Sequence, residues 1–273
     1  MGTQLLALGL GGDCPETWNL DKPAAVESVH RSYVEAGSQL ILTNTFGATA
    51  WKLARSGRAA DQERLAHAGV ERALRAAADR AWVLGDIGPT GELPEPYGAR
   101  PLSEFEDAFA ALACILAQAG VHGLFIETMS SAEEAAAAVR AARRSCELPV
   151  LASLTYAPGK RGLRTLMGET VADATRLVLE AGAHAVGSNC GLGAQQMIDV
   201  IREIRAVTDA PILAKPNAGQ PRLVGDKTIF EESPDDWAQH VPALAQAGAN
   251  IVGGCCGTTR EHIARARELL SKG

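Results

Sequence analysis

The chain has 273 residues, of which 47% are hydrophobic and only 4% aromatic, so it can bury a large core built from alanine and aliphatic side chains. A net charge of −6 argues against nucleic acid as a partner, and no apolar run approaches the ~20 residues of a membrane helix. The first residues lack the basic start of a signal peptide, so a cytoplasmic protein is expected. Six cysteines in such a chain do not indicate a disulfide framework.

Four segments of the chain repeat one pattern, in which a helical period ends with Ala-Gly and a short apolar run follows. They are EAGSQLILTNTF (35–46), QAGVHGLFIET (118–128), EAGAHAVGSNC (180–190) and QAGANIVGGCC (246–256). The glycine can take the left-handed conformation that ends a helix. The apolar run is typical of a strand that is covered on both faces. Each segment therefore predicts a helix followed by a buried strand.

Further strands follow the same alternation without the Ala-Gly, at 81–86, 148–155 and 210–216. Strand alternating with helix predicts right-handed βαβ units and a parallel sheet. Seven such strands favour an α/β fold of the (β/α)₈ TIM-barrel type, with the first strand missing or truncated at Met1. The rival is an open doubly wound sheet, whose usual Gly-x-Gly-x-x-Gly turn is not found here. No linker divides the chain, so residues 1–273 are expected to form a single barrel, with 157–169 and 217–235 as active-site loops.

In such barrels the active site lies at the carboxyl ends of the strands. Here those ends carry mostly polar side chains: Asn44, Thr45, Asp86, Glu127, Cys190, Lys215, Asn217, Cys255 and Cys256. The repeat therefore places Cys190 on the same rim as the adjacent pair Cys255–Cys256, far away in sequence.

Three cysteines that converge on one rim suggest a zinc site. Zinc takes thiolates at about 2.3 Å in a tetrahedron, and catalytic sites usually supply three protein ligands and leave the fourth position open. Adjacent cysteines can bind one ion only if the backbone bends sharply, which Gly253, Gly254 and Gly257 permit. Thiolate ligands favour zinc over magnesium or manganese.

Two other interpretations of these cysteines remain open at this point. Buried cysteine is often a packing residue, and that interpretation suits Cys190 taken alone as well as a functional one does. It does not explain the glycines around Cys255 and Cys256. A vicinal disulfide or redox switch is the other chemical option, but it assigns no role to Cys190. Cys14, Cys114 and Cys146 are interpreted as structural.

A zinc site with three thiolates and one open position has a specific chemical use. Three thiolates make the site net negative, so it is a poor generator of hydroxide. It is well suited to binding an exogenous thiol, because coordination lowers the pKa of that thiol and holds it as thiolate. The expected reaction is alkylation of a thiol.

Motifs along nearly the whole chain resemble a known family. They are CPETWNLDKPAAVESVHRSYVEAGSQLILTNTFGA (14–48), GDIGPTGE (85–92), GLFIETM (123–129), GSNCGLG (187–193), KPNAGQP (215–221) and GANIVGGCCGTTREHI (248–263). They are similar to the homocysteine-binding domain that is shared by cobalamin-dependent methionine synthase, betaine–homocysteine methyltransferase and S-methylmethionine-type homocysteine methyltransferases. The resemblance implies a (β/α)₈ barrel in which zinc activates homocysteine for methylation to methionine. It places the zinc ligands at Cys190, Cys255 and Cys256, and the acidic residue for the homocysteine ammonium at Glu127.

Three charged residues at strand ends can also be weighed without the family. A carboxylate such as Glu127 at the end of a buried strand is costly unless a cation pairs with it, which suits either an amino-acid ammonium or a neighbouring arginine. Asp86, before IGPTG, could cap the next turn instead of contacting ligand. Lys215 could form a Schiff base as in barrel aldolases, but Pro216 follows it and nothing nearby suggests a carbonyl substrate. An ion pair is the preferred interpretation of Lys215.

The sequence therefore predicts a zinc-dependent homocysteine S-methyltransferase, or the homocysteine half of a two-component methionine synthase, in which a zinc-bound thiolate attacks an electrophilic methyl group. The methyl donor stays open between a methylcorrinoid protein and an S-methylmethionine-type donor. No cobalamin-binding Asp-x-His-x-x-Gly motif is found, so a methylcorrinoid would have to arrive on a partner protein. Two rival functions are a barrel lyase that uses Lys215 and a non-catalytic subunit stabilised by zinc. Asn217 or water is expected to complete the resting zinc tetrahedron.

The start of the chain departs from the family. The family's first strand ends in Asp-Gly-Ala-Met-Gly-Thr, whose aspartate lies in the homocysteine pocket, and this chain starts inside that motif at Met1. Residues 4–8 are apolar and could offer a substitute strand, but by the family's register they belong to the loop and helix that follow. We expect the natural protein to begin upstream, with an apolar strand ending in Asp-Gly-Ala.

Overall fold

The structure is a computed structural model that describes residues 1–12, 14–225 and 227–271, with Lys227 described by its backbone alone. The helices are α1 (Gly2–Ala7), α2 (Trp18–Asp21), α3 (Pro23–Glu35), α4 (Ala50–Ala54), α5 (Gln62–Ala77), α6 (Leu102–Gln118), α7 (Ala132–Ser145), α8 (Val171–Glu180), α9 (Ala194–Arg205), α10 (Pro234–Ala238), α11 (Val241–Gln246) and α12 (Arg260–Leu270). The strands are β1 (Leu40–Leu42), β2 (Trp82–Ile87), β3 (Gly123–Met129), β4 (Val150–Leu154), β5 (Ala157–Gly159), β6 (Gly162–Arg164), β7 (Ala185–Gly193), β8 (Ile212–Asn217), β9 (Arg222–Val224), β10 (Lys227–Ile229) and β11 (Ile251–Val252).

One curled parallel sheet organises the fold, with strand order β1-β2-β3-β4-β7-β8-β11. Each strand pairs in parallel with the strand that precedes it in this order, and helices connect them. This is the arrangement that right-handed βαβ units produce. The seven predicted strands and their parallel order are confirmed. In the described residues β1 and β11 do not pair, so the barrel has one open side.

Helices cover the open side between β1 and β11. The backbone carbonyl of Thr258, just before α12, accepts hydrogen bonds from Tyr33 Oη on α3 at 2.7 Å and from Gln4 Nε2 on α1 at 3.2 Å. Leu5 of α1 is buried in a small core with Val26 of α3. Residues 4–8 therefore do not replace a strand, and the helix predicted from the family's register is confirmed for most of them.

The local sequence of α7 shows why these helices form where they do. Ser131 lies at the N-cap and its hydroxyl accepts a hydrogen bond from the backbone N–H of Glu134 at 3.3 Å. Acidic residues occupy the first turn and Arg143 and Arg144 the last turn, so both ends complement the helix dipole. Its alanines are buried, which lets α7 approach the sheet closely.

The barrel interior has an apolar layer with a charged layer above it. The apolar layer is formed by Leu84, Phe125 and Leu213, with other leucine and isoleucine side chains around them. Side chains two positions apart on a strand share a face. The residues two positions further along β2, β3 and β8 therefore face the same interior, and they are Asp86, Glu127 and Lys215.

The two long loops predicted after strands contain short antiparallel hairpins. β5 pairs with β6 after β4, and β9 pairs with β10 after β8. The loops were predicted from their irregular composition, but the hairpins were not. No helix in the described part of the chain is both long and apolar enough to cross a membrane.

Candidate active site

The structure brings the three predicted metal-binding cysteines together at the carboxyl ends of β7 and β11. The Sγ atoms of Cys190, Cys255 and Cys256 all lie within 4.8 Å of one another, and those of Cys190 and Cys256 are 3.9 Å apart. Two thiolates on one tetrahedral zinc at about 2.3 Å lie about 3.8 Å apart, so the three sulfur atoms fit zinc. Among the described residues this is the only cluster of three or more histidine, cysteine or acidic side chains that could hold a metal ion.

Two glycines beside the cysteine pair leave no room for a side chain, and only one of them has a left-handed backbone. A Cβ on Gly254 would lie 2.3 Å from Thr258 Oγ1, and a Cβ on Gly257 would lie 2.3 Å from Phe230 Cβ. Only Gly257 of these two has a positive φ, of 79°. A Cβ on Gly253, in contrast, would meet Lys215 Cγ at an ordinary 3.4 Å. Gly254 therefore makes room for Thr258, and the left-handed backbone of this turn lies at Gly257.

The end of β8 fixes the backbone of the cysteine pair. The N–H of Cys255 donates to the carbonyl of Pro216 at 2.9 Å, and the N–H of Cys256 donates to Asn217 Oδ1 at 3.1 Å. The Thr258 hydroxyl donates to the carbonyl of Cys255 at 2.7 Å. The oxygen of Asn217 that was expected to complete the zinc tetrahedron is thus engaged with the backbone, where it positions Cys256.

Asn189, which the sequence analysis did not single out, connects the parts of the site. Its Oδ1 accepts hydrogen bonds from the Thr128 N–H at 2.8 Å and from the Ser153 hydroxyl at 2.5 Å. Its Nδ2 donates to Thr128 Oγ1 at 2.7 Å, to Glu127 Oε2 at 3.4 Å and to Cys255 Sγ at 3.6 Å. The side chain therefore links the cysteines to the charged layer of the barrel.

Two non-glycine residues next to these contacts have left-handed backbones. Thr128 has φ of 62° and Cys190 has φ of 60°. Such conformations cost roughly 1–3 kcal/mol and persist where the surroundings hold them. Asn189 is adjacent to Cys190 in sequence and contacts Thr128 through two hydrogen bonds, so it helps to hold both conformations. The immediate sequence neighbourhood Asn189–Cys190 was the signal that could have indicated its role.

Glu127, predicted to bind a substrate ammonium, forms an ion pair with Lys215 inside the barrel. The two side chains are only 11% and 16% exposed, respectively, and the Lys215 ammonium also lies 4.7 Å from the ring centroid of Phe125. The alternative of an ion pair for Glu127 is therefore realised with lysine and not with arginine. The preferred interpretation of Lys215 as an ion-pair residue agrees with this contact.

Asp86 lies in the same charged layer, but no ion pair or side-chain hydrogen bond joins it to another described residue. The residue is 4% exposed, and its Oδ1 is buried without a hydrogen bond. Only its backbone is bonded, because its N–H donates to Thr43 Oγ1 and its carbonyl accepts from Thr45 Oγ1. The expectation that Asp86 caps the next turn is not realised in the described residues.

Burial and mutual charge shift the pKa values of this layer. Burial raises the pKa of Asp86 well above its usual range, and the charge of Glu127 raises it further, against the opposing effect of Lys215. Burial also raises the pKa of Glu127, with Lys215 opposing. For Lys215, burial alone would lower the pKa, but the charges of Glu127, Cys255 and Asp86 outweigh it and the pKa is raised. At Lys215 the negative charges of the layer therefore outweigh the effect of burial.

The three thiols share hydrogen bonds in a way that favours one thiolate. Hydrogen bonds from Cys255 and Cys256 lower the pKa of Cys190. The hydrogen bond to Cys190 in turn raises the pKa of Cys255 and of Cys256. One negative sulfur stabilised by two thiols is an electron-rich donor set, as a soft metal ion requires.

The remaining predicted strand-end residues have structural contacts. Asn44 Nδ2 donates to Asn19 Oδ1 at 2.8 Å. The Thr45 hydroxyl donates to the backbone carbonyl of Asp86. All six cysteines are free, so the vicinal disulfide is not formed. Cys14, Cys114 and Cys146 lie outside the cluster.

Comparison with known proteins decides the family. A family model described as homocysteine S-methyltransferase matches residues 1–270. The chain belongs to the homocysteine S-methyltransferase family. The predicted resemblance to this family is thereby confirmed.

Relatives of known name agree with this membership. The chain is 31% identical over 282 residues to the methionine synthase of Mycobacterium tuberculosis, covering 96% of this chain and 23% of that protein. It is 31% identical over 292 residues to the methionine synthase of Mycobacterium leprae, covering 100% of this chain and 24% of that protein. The chain thus spans less than a quarter of the length of these two relatives.

A solved structure supports the fold. The metallated form of the homocysteine methyltransferase MmuM from Escherichia coli matches with a TM-score of 0.79 and 24% identity, over 98% of this chain and 93% of that one. At this identity the match shows the fold alone. The predicted TIM-barrel class is therefore confirmed, with the seven-stranded curled sheet described above.

Proposed function

We propose that this chain transfers a methyl group to the thiol of homocysteine, giving methionine, with zinc held by Cys190, Cys255 and Cys256. The observation that carries the proposal is the cluster of three sulfur atoms, all within 4.8 Å of one another, above a charged barrel interior. When bound, zinc would lower the pKa of the incoming thiol and hold it as the nucleophilic thiolate.

The chain's own residues supply the rest of the site. Asn189 orients the Cys255 thiol and the Glu127 carboxylate with the same amide group. The hydrogen bond to Cys190 raises the pKa of Cys255, and the positive charge of Lys215 opposes that rise and so offsets part of the negative charge of the cysteine cluster. The carboxylates of the interior layer attract the ammonium of the substrate, and this is the role proposed for Glu127. The thiol end of homocysteine then points at the rim and its amino-acid end points into the barrel.

The methyl donor approaches from the rim, where the loops after the strands lie. Large exposed apolar side chains occur on several of these loops: Tyr97 after β2, Leu166 after β4 and Leu223 after β8. Exposed apolar side chains mark a contact with another protein when they lie together in one patch. They support a methylcorrinoid carried by a partner protein as the donor, and an S-methylmethionine-type donor is the alternative.

The rival functions have less support. A lyase that uses Lys215 needs a neutral amine to attack a carbonyl, whereas the Lys215 ammonium is paired with Glu127 and its pKa is raised. A non-catalytic zinc-stabilised subunit gives no reason for the buried carboxylate of Asp86, whose Oδ1 has no hydrogen-bond partner in the described part of the chain.

The proposal is tested by zinc content and methyl transfer measured on the same proteins. Wild-type protein should contain one zinc and should form methionine from homocysteine with one member of a donor screen: methylcobalamin, S-methylmethionine, S-adenosylmethionine or betaine. The Cys190→Ser variant should lose zinc and activity, whereas Cys114→Ser on helix α6 should keep both. Equal zinc content in the two variants would overturn the metal assignment, and methionine formation by zinc-free wild type would overturn the mechanism.

A further inference from the structure

We propose that His262 is a positioning residue that sets the affinity of the cysteine cluster for zinc, although its side chain is not a metal ligand. The inference rests on the proposed function, because it takes Cys190, Cys255 and Cys256 as the residues that hold the ion. It adds a residue on α12 that the proposed function does not use. The role assigned to His262 is to hold the backbone at Cys256.

The contacts of the His262 ring fix one form of its imidazole. The residue is 4% exposed, and its Nδ1 lies 3.1 Å from the backbone nitrogen of Thr259, whose N–H can only donate. Its Nε2 lies 3.1 Å from the backbone carbonyl oxygen of Glu232, which can only accept. Nδ1 is therefore the acceptor, and Nε2 carries the hydrogen. The ring thus connects the N-cap of α12 with the loop that follows β8.

These two contacts close a ring of hydrogen bonds on the cysteine turn, residues 255–258. The Glu232 N–H donates to the carbonyl of Ala218 at 3.2 Å, and the Ala218 N–H donates to the carbonyl of Cys256 at 2.9 Å. The other end of the ring is the N–H of Thr259, directly after the turn. Every group in this ring except the imidazole of His262 belongs to the backbone. His262 is therefore the member that a substitution can remove.

Packing keeps the imidazole, the loop and the turn in contact. The His262 ring meets the ring of the buried Trp237 edge to face, with centroids 5.7 Å apart and an angle of 76° between the planes. Phe230 of the loop lies against Gly257 of the turn, where an added Cβ would come within 2.3 Å of Phe230 Cβ. A shift of this loop would therefore move the backbone of Cys256, and with it a proposed zinc ligand.

Two substitutions of His262 separate hydrogen bonding from packing. His262→Phe keeps an aromatic ring against Trp237 and removes both hydrogen bonds, whereas His262→Gln lacks the ring but keeps an amide that can donate to Glu232. Competition with a zinc chelator measures zinc affinity, and amide hydrogen exchange at Ala218 reports its bond to Cys256. His262→Phe should bind zinc about tenfold more weakly, as for other residues that orient metal ligands, and its Ala218 amide should exchange faster. His262→Gln should bind zinc within about threefold of wild type.

His184→Phe is the matched control for a general loss of stability. His184 Nδ1 accepts a hydrogen bond from the backbone N–H of Val150 at 3.0 Å, so this substitution removes a comparable bond at the amino end of β7. It should lower the free energy of unfolding in urea and leave zinc affinity unchanged. An equal loss of zinc affinity in His184→Phe and His262→Phe would overturn the inference, because destabilisation alone would explain both.

The remaining outcomes separate this inference from the proposed function. Wild-type zinc affinity in His262→Phe, or equal losses in His262→Phe and His262→Gln, would overturn the inference alone. Failure of the wild type to bind zinc would overturn the proposed function and the inference with it. If His262→Phe does not fold, His262→Leu, which differs from the glutamine variant chiefly in lacking the amide, is measured in its place.

Discussion

Lys215 and Glu127 form an ion pair across the interior of the barrel, between β8 and β3, two strands that are not neighbours in the sheet. The pair therefore connects opposite parts of the sheet through its centre. It also fixes two charged side chains below the cysteine cluster, and Asn189 joins it to Cys255.

Replacing one partner of this ion pair should destabilise the protein more, per substitution, than replacing both partners together. Glu127→Gln leaves the buried Lys215 ammonium unpaired, and Lys215→Met leaves the buried carboxylate unpaired, so each should lower the free energy of unfolding by about 3 kcal/mol. The double variant should lose clearly less than the two single losses together. Urea denaturation of the four proteins gives this coupling. Glu127→Gln should also bind homocysteine more weakly while keeping its zinc, and additive single losses would contradict the prediction.

The exposed pair of Asp199 and Arg202 provides the control for that cycle. Both side chains are mostly exposed, and the atoms are 3.0 Å apart. Pairs of this kind contribute about 0–1 kcal/mol. The same double-variant cycle on this pair should therefore show little coupling.

Gly254 and Gly253 make a matched pair of substitutions. Gly254→Ala places a methyl group 2.3 Å from Thr258 Oγ1, so Thr258 must move and its hydrogen bond to the Cys255 carbonyl is disturbed. Gly253→Ala meets its nearest neighbour at 3.4 Å. We expect Gly254→Ala to lose most of its zinc and Gly253→Ala to retain it, as measured by metal content after dialysis. Equal retention by both would show that Thr258 does not fix the cysteine turn.

Asn189 is expected to matter for metal affinity although it is not a ligand. Asn189→Ala leaves the Thr128 N–H and the Ser153 hydroxyl without their acceptor. Position 189, which precedes Cys190, then loses the side-chain hydrogen bonds that fix it. Zinc affinity should fall by about tenfold to a hundredfold, as for other residues that orient metal ligands. Competition with a zinc chelator measures this. Ser153→Ala, which removes one of the two hydrogen bonds to Asn189 Oδ1, should have a much smaller effect, and an equal effect would contradict the role given to Asn189.

Asp86→Asn should stabilise the protein in the absence of homocysteine, in a pH-dependent way. The folded pKa of Asp86 is raised above its unfolded value, so the folded state binds the extra proton and stability falls as pH rises from about 4, the unfolded pKa, to the folded pKa. The amide does not titrate, so it removes this loss. The gain in free energy of unfolding should be near zero at pH 4 and about 1–2 kcal/mol at pH 8.

Melting of wild type and variant across this pH range checks the prediction. Both proteins are treated with the same chelator, so that metal content does not differ between them. A gain that is the same at pH 4 and pH 8 would mean that the charge of Asp86 is not its cause.

The strand ends and the cysteine cluster could be predicted because both follow from periodicity. Parallel strands put their carboxyl ends on one rim, so Cys190 and Cys255 had to share that rim once their strands were identified. Asn189 could not be predicted in the same way, because its role depends on left-handed backbones at Thr128 and Cys190 that periodicity does not indicate.

The position of Asp86 inside the barrel could have been predicted from the sequence. Its position before IGPTG suggested a turn, but the alternation from Leu84 to Asp86 already places it on the inner face of the barrel. The same alternation from Leu213 places Lys215 there. Whether Lys215 pairs with Glu127 or with Asp86 depends on distances across the barrel. These distances are set by the packing of the whole interior and not by the sequence of any one strand.

The open side of the barrel bears on how a metal ion at the cysteine cluster would be exchanged. The hydroxyl of Thr258 donates a hydrogen bond to the carbonyl of Cys255. The carbonyl of Thr258 accepts hydrogen bonds from Tyr33 and Gln4, on the side of the barrel where β1 and β11 do not pair. Segments with few backbone ladder bonds open locally at a lower free energy than the core. Amide protons of residues 253–259 should therefore exchange faster with solvent than those of β3. A local opening of residues 253–259 would free the thiols without unfolding the sheet. Binding and release of a metal ion would then depend on the rate of this local opening and not on the rate of global unfolding.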